Sequence, residues 1–348
     1  MEVSVDDFLN LRKSLPIVDV RSEGEFGSGH IVHAINIPLL NNSEREKVGT
    51  IYKQVGQKAA IHEGFRLVGP RLIEIVSQVE RVSSGKELLV HCWRGGMRSS
   101  NFSQFAGMAG VRTSVLKGGY KAYRQRALDS FRRPLQLILL TGCTGSGKSE
   151  VLRELRRAGE QILDLEGLAN HKGSAFGGLL MPPQPTTEQF QNDLFEEILR
   201  LNPFRRIWIE DESIAIGKIF FPPDFWQQML VSPLLKMEVE RQVRIERLVS
   251  EYGPADREEF LSIMMKITKK LGGQNLNDAK AKLLEGKMAD VIDILLTYYD
   301  KAYLESISRR QERIHFSLEW NGKEPASYAR ELIRAADHNM AGISIANS

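Results

Sequence analysis

The stretch from Leu135 to Ser149 constrains this chain more than any other. Leu135 to Leu140 is apolar at every position but Gln136, at the length of one strand. Such a run suits a central parallel strand covered on both faces. Gly142-Cys143-Thr144-Gly145-Ser146-Gly147-Lys148-Ser149 follows it and fits G-x-x-x-x-G-K-[ST]. The residues from Lys148 to Ala158 then read as a helix. Strand, glycine-rich loop and helix in that order require a parallel α/β sheet with crossover helices. A glycine-rich turn with a chance Lys-Ser would lack this context. Backbone N–H groups at Gly142, Thr144, Gly145, Ser146, Gly147 and Lys148, with the Lys148 ammonium, are the expected cradle for a diphosphate or triphosphate. Ser149 supplies a hydroxyl for Mg²⁺, and an acid is expected at the end of a neighbouring strand. Glu210-Asp211-Glu212, after Ile207-Trp208-Ile209, provides it, with Asp211 as the candidate ligand. Cys143 reads as a filler position within the loop.

A second loop repeats the plan with different chemistry. Glu87-Leu88-Leu89-Val90-His91 reads as a strand and runs into Cys92-Trp93-Arg94-Gly95-Gly96-Met97-Arg98, with a helix from about Ser99. Successive N–H groups in such a turn make an anion-binding nest. A cysteine at its mouth feels the helix N-terminus and the cations Arg94 and Arg98, which favour the nucleophilic thiolate. Cys92, Arg94 and Arg98 are therefore the catalytic candidates. An inert cysteine at a strand end is the competing reading, and the glycine pair and two arginines count against it. The chain has two cysteines, each inside a glycine-rich loop, so a structural disulfide is not expected.

Around these loops the chain alternates strand and helix. Ile17-Val18-Asp19-Val20 and Thr113-Ser114-Val115-Leu116 read as strands, Ser43 to Tyr52 as a helix, and Glu63 to Val82 as containing one long amphipathic helix. Tyr120 to Phe131 reads as a charged helix, and Arg132-Arg133-Pro134 as a boundary between domains at 1–131 and 132–348. Ile162-Leu163-Asp164-Leu165, Arg206 to Glu210 and Leu234 to Val239 read as further parallel strands, with a mostly helical remainder from Glu240.

Asp19-Val20-Arg21-Ser22-Glu23-Gly24-Glu25-Phe26, Gly29-His30-Ile31, Ala34-Ile35-Asn36-Ile37-Pro38 and Leu116-Lys117-Gly118-Gly119-Tyr120 resemble a rhodanese domain over about residues 1–125. That likeness implies sulfur or selenium carriage at Cys92, with Asp19 and His30 as framework. Common rhodanese loops are one residue shorter. The H-C-x5-R spacing here is also that of cysteine-dependent phosphatases, and the wider loop has room for a tetrahedral oxyanion. Selenophosphate, with tetrahedral phosphorus and a transferable selenium, satisfies both features.

Asp164-Leu165-Glu166-Gly167-Leu168-Ala169-Asn170-His171-Lys172-Gly173-Ser174-Ala175-Phe176-Gly177 is similar to the hallmark segment of the tRNA 2-selenouridine synthase family. Leu39 to Asn42 and Val48 to Lys53 resemble that family's insertion in the rhodanese part. The resemblance implies α/β architecture throughout: a single rhodanese-like domain, then a P-loop NTPase-like parallel-sheet domain with a helical C-terminal extension. It implies an enzyme that replaces sulfur by selenium in the wobble 2-thiouridine of tRNA, using selenophosphate. It further implies S-geranylation from geranyl diphosphate, so that the phosphate loop holds a prenyl diphosphate. Glu166, Asn170, His171, Lys172 and Ser174 form the candidate substrate loop, with Ser174 placed to cap a helix. The partners are then tRNA, selenophosphate and geranyl diphosphate. Mg²⁺ is a possible ion, and no tightly bound cofactor is expected.

The rival readings are a small-molecule kinase fused to a sulfur carrier, a Cys92-dependent phosphatase, and a persulfide-sensing regulator with a nucleotide switch. Arg241, Arg244 and Arg247 recur at i, i+3 and i+6. They fit a phosphate-contacting lid or a solvated helix face equally well. Arg257, Lys266, Lys269 and Lys270 make one basic cluster, and Arg309, Arg310 and Arg313 another, near Tyr298, Tyr299 and Tyr303. RNA phosphates need such cations and splayed bases such rings. Basic helix faces are more often merely solvated, and tyrosines at helical spacing more often core. Met264, Met265 and Ile267 read as core rather than as a geranyl pocket. The net charge of +3 permits a nucleic-acid partner without requiring one. The acidic start and the absence of a membrane-length apolar run predict a cytoplasmic location.

Overall fold

The structure, a computed structural model, describes residues 1–340. It divides into two compact units. The first comprises Met1–Ser130 with Gln191–Glu196, and the second Phe131–Phe190 with the chain from Glu197 onward.

In the first unit five parallel strands form one sheet: β1 (Glu2–Val3), β2 (Ile17–Asp19), β3 (Ala34–Asn36), β4 (Leu88–His91) and β5 (Thr113–Leu116). Their order is β1-β5-β4-β2-β3. β4 is central and buried along its whole length, as an unbroken apolar strand must be when helices cover both faces. The register sets Asp19 opposite His91, directly beneath the Cys92 loop. Val18, Val20, Leu88, Val90, Phe102 and Ala106 fill one side of the sheet. The helix Asn42–Gln54 opens on a capping box between Asn41 and Glu44. The single long helix expected in Glu63–Val82 is instead two, Gln57–Val68 and Leu72–Ser83, joined by a 3₁₀ turn at Gly69–Arg71. Pro70 has no N–H to donate, so the α-helical ladder is interrupted there.

The second unit holds β6 (Leu137–Thr141), β7 (Gln161–Leu163), β8 (Ile207–Glu210), the hairpin β9 (Ala215–Ile216) with β10 (Ile219–Phe220), β11 (Leu234–Glu238) and β12 (Ile314–Glu319). Five of these make a parallel sheet ordered β12-β11-β6-β8-β7. The strand that feeds the phosphate loop is thus the middle one, and the loop opens at its carboxyl end, where ligands bind in such sheets. The C-terminal region is not helical throughout. β12 pairs in parallel with β11 and alternates half-buried Ile314, Phe316 and Leu318 with exposed His315, Ser317 and Glu319. That period of two was in the sequence, but it lies between long helical stretches that mask it.

Around the phosphate-loop end, helices Arg241–Tyr252, Arg257–Lys266 and Met288–Ser308 enclose a second core with Phe176, Leu248, Phe260, Met264, Ile267 and Leu295. Met264 and Ile267 are core, as read, whereas Met265 is exposed. Among the described residues no helix is long and apolar enough to cross a membrane.

Candidate active sites

The first site grows from β4. The helix Met97–Met108 starts two residues earlier than expected, with Gly96 at its N-cap. Cys92 lies between strand and helix, almost fully buried. Its Sγ is 3.3 Å from Ser99 Oγ. Burial alone would push the thiol up. Hydrogen bonds from the Ser99 side chain and from the backbone at Ser99 and Arg94, with the charge of Arg98, outweigh it, and the net shift is downward. Arg98 acts through its charge, and its guanidinium is held by Glu25 at 2.6 Å. Arg94 acts through its backbone, and its side chain is exposed.

The loop is clamped from the far side by Gly118-Gly119-Tyr120. Tyr120 N donates to Cys92 O at 2.8 Å, and Lys121 N donates to Trp93 O at 3.0 Å. Gly119 sits at φ +62°, and a Cβ there would fall 2.5 Å from Cys92 O. Gly95, at φ +69°, would place a Cβ 2.7 Å from Leu116 O. Only glycine fits both positions without strain. Underneath, Asp19 and Arg21 form a buried ion pair at 2.6 Å, and the guanidinium lies 3.8 Å from the Tyr120 ring centroid. His91 is fully buried, with neither ring nitrogen hydrogen-bonded. Burial holds it well toward the neutral form, with Asp19 pulling the other way. His30 stacks on Phe26 and bonds its carbonyl at 3.1 Å. A separate apolar pocket of about 140 Å³ is walled by Tyr52, Phe65, Met97 and Arg98.

The second site is the phosphate loop. Gly147, at φ +81°, caps the helix Lys148–Arg157. Lys148 Nζ donates to Gly142 O at 3.2 Å, folded back across the loop. The loop lines a cleft of about 1330 Å³. Asn170, His171, Lys172 and Ser174 line the same cleft, so the candidate substrate loop and the phosphate loop face one space. Within it Lys172 pairs with Glu251 at 2.6 Å, and Asn170 Nδ2 donates to Pro183 O at 3.1 Å. Ser174 does not cap a helix; its hydroxyl accepts from Phe176 N inside a turn. The first turns of this segment, Leu165–Ala169, are a short helix capped by Asp164.

The acids at this loop are distributed otherwise than the sequence suggests. Ser149 Oγ donates to Glu166 Oε2 at 2.6 Å. Asp211 is instead clamped by Arg310 at 2.7 Å. Glu210 is buried and accepts from Leu165 N. Burial, with Glu166 and Asp164 adding, pushes its carboxyl far up. Glu212 is pushed up to about 8 by burial and by Glu166. Among the described residues no group of three or more His, Cys, Asp or Glu side chains is arranged to hold a metal ion. The Ser149 hydroxyl and Glu166 carboxylate are nonetheless the hard oxygen donors that suit Mg²⁺, an ion that takes much of its coordination from phosphates and water.

The three regularly spaced arginines are committed to protein partners. Arg241 pairs with Asp293 and Asp300, Arg244 with Asp300 and the Thr144 carbonyl, and Arg247 with Glu150. Arg247 lies against Gly147, so it is the one nearest the loop's glycines. Arg310 and Arg313 are also engaged, Arg313 with the carbonyls of Met229 and Ser232. Sequence reasoning missed Ser99 and Gly119 at the first site. The signal for Ser99 was its place in the first turn of the helix that the Cys92 loop opens.

Residues 4–126 match the rhodanese-like domain family, and residues 135–331 match the tRNA 2-selenouridine synthase AAA domain. The second match alone spans more than half of the chain. The chain belongs to the tRNA 2-selenouridine synthase family. The tRNA 2-selenouridine synthase of Shewanella frigidimarina is 33% identical over 342 residues, covering 88% of this chain and 92% of that one. Those of Shewanella denitrificans and Azotobacter vinelandii are each 35% identical, covering 86% and 88% of this chain and 90% and 91% of theirs. Both glycine-rich loops lie inside the matched regions, one in each.

Proposed function

We propose that this chain is a tRNA 2-selenouridine synthase that exchanges sulfur for selenium in the wobble 2-thiouridine of tRNA, with selenophosphate as donor and S-geranylation from geranyl diphosphate as the activating step. The observation that carries the reading is the pairing, in one family member, of two different anion sites. One holds a soft nucleophile, Cys92, whose thiolate is favoured. The other holds a hard cation, Lys148, folded across the glycine-rich loop. Alkylation forms a carbon–sulfur bond as diphosphate departs and turns the thiocarbonyl into an S-alkyl group; selenium then adds at the ring carbon and the sulfur leaves as the alkyl thiol, a far better leaving group than sulfide.

The residue roles follow from this reading. Cys92, with Arg98 and the backbone of the loop, handles the selenium donor, and the long loop suits its tetrahedral phosphorus. Gly142, Thr144, Gly145, Ser146, Gly147 and Lys148 hold the diphosphate. Lys148 neutralises the charge that develops as the diphosphate departs, where a fixed cation is most effective. Mg²⁺, when bound, would add further charge neutralisation there, with Ser149 and Glu166 as its protein donors. The apolar pocket beside Met97 and Arg98 supports a geranylated base reaching the first site.

The test is nucleoside mass spectrometry of 2-thiouridine tRNA incubated with the protein, selenophosphate and geranyl diphosphate. The reading requires 2-selenouridine that depends on both cosubstrates. Phosphorylated small products without tRNA dependence would overturn it in favour of a kinase.

A further inference from the structure

The cleft at the phosphate loop is too large for a diphosphate compound alone. Small-molecule sites run to about 300–1,000 Å³, and this one is about 1330 Å³. Its lining extends beyond the glycine-rich loop to residues of different character. Lys218, on the hairpin β9–β10, and Lys266 and Lys270, on and just after the helix Arg257–Lys266, line it and are exposed. Among the described residues none of the three makes an ion pair. Of the other cations around the cleft, Lys148 belongs to the phosphate loop, Lys172 is spent on Glu251 and Arg310 on Asp211.

Three of the lining carboxylates are likewise offset: Glu251 and Asp211 are paired, and Glu212 is pushed up to about 8 by burial and by Glu166. Among the described residues Glu166 stays unpaired beside the phosphate loop, where it accepts from Ser149. Glu259 is the exposed acid in the lining, on the same helix as Lys266. Half-buried Trp226 and Tyr298 line the same cleft. Free cations from separate elements, aromatic surface and spare volume beside a diphosphate site describe a chamber for a nucleobase on a polyanionic strand.

We propose that the RNA enters this cleft, with its phosphates on Lys218, Lys266 and Lys270 and its target base between them and the phosphate loop. This rests on the tRNA reading above and adds where the RNA sits. It also assigns no RNA contact to Arg310 and Arg313, which are held within the protein. Lys269 lies beside Lys270 in sequence and is exposed, but it does not line the cleft. That makes it an internal control of equal charge.

The experiment measures binding of an anticodon stem-loop RNA to the full chain across a salt series. The triple variant Lys218→Glu, Lys266→Glu, Lys270→Glu should bind at least tenfold more weakly at moderate salt. Each lost contact should flatten the log–log salt slope by roughly 0.7 to 0.9. Lys269→Glu should retain most of the affinity. An unchanged triple variant, or a Lys269→Glu loss as large as the triple loss, would overturn the assignment while leaving the tRNA reading intact. Failure of the unmodified protein to bind the RNA would overturn both. A second readout does not depend on the variants. A stem-loop with 4-thiouridine at the wobble position should photocrosslink to residues 215–230 or 288–303. Crosslinks confined to residues 1–130 would overturn the placement.

Discussion

Ser99 Oγ stands 3.3 Å from Cys92 Sγ, inside the first turn of the helix that the Cys92 loop opens. The hydroxyl oxygen also lies 3.0 Å from Gly96 O, so its single proton serves that carbonyl while the sulfur is a thiol and turns to the sulfur when it ionises. A donor within reach of a sulfur favours the anion, and the Cys92 thiol is lowered although burial opposes it.

Replacing Ser99 by alanine should therefore raise the pH at which Cys92 reacts. Iodoacetamide labelling followed from pH 6 to pH 10 should show its inflection moved upward. The rate at pH 7 should fall roughly fivefold, the factor for a hydrogen bond of about 1 kcal/mol. In the unmodified protein Cys92 should label faster than Cys143, whose thiol is pushed up by burial. Equal rates would remove the nucleophilic role.

Gly119→Ala should damage the same loop without touching its chemistry. The new methyl meets Cys92 O and Gly95 N, both at 2.5 Å, and φ +62° strains any L side chain. The strain alone is about 1–2 kcal/mol. A lower thermal midpoint and slower Cys92 labelling are expected, whereas Gly96→Ala, where a Cβ meets nothing within 4 Å, should label nearly normally.

The buried group under the loop makes the fold acid-sensitive. His91 is lowered from 6.5, so below that pH the unfolded chain takes up a proton that the native state refuses, and stability falls. Asp19 is also lowered, from 3.8, against burial, by His91 and Arg21. Its contribution is present above that value and is lost as pH drops through the folded one. Thermal midpoints should therefore decline from about pH 6.5 downward, and His91→Phe should flatten the upper part of that decline. Asp19→Asn at pH 7 should destabilise by roughly 3–5 kcal/mol, since Arg21 is left buried without its partner.

Separate variants of the two loops should separate the two steps. Cys92→Ser keeps the loop shape and should geranylate 2-thiouridine while failing to add selenium, so the alkylated nucleoside accumulates. Lys148→Ala should slow geranylation by a hundredfold or more, taking loss of one electrostatic stabiliser as roughly 10²–10³. Pre-geranylated tRNA should restore selenation to the Lys148 variant only. Normal selenation of such tRNA by the Cys92 variant would move the selenium site elsewhere.

The two glycine-rich loops were legible from sequence because each is built by contiguous residues. A strand, a few glycines and a helix start turn their own N–H groups inward, so Cys92 and Lys148 are placed by local geometry that spacing alone encodes. Tertiary structure decided everything that depends on a choice among similar groups far apart in the chain. Three carboxylates end or follow β8 in sequence, yet the acid at Ser149 is Glu166, and Asp211 is claimed by Arg310. Arginines and lysines looked alike in the C-terminal half. Packing committed Arg241, Arg244, Arg310 and Arg313 to partners 52 to 100 residues away and left Lys218, Lys266 and Lys270 facing the cleft. Whether a charge is spent or free depends on which partner the fold brings within a few ångströms, and no local pattern records that.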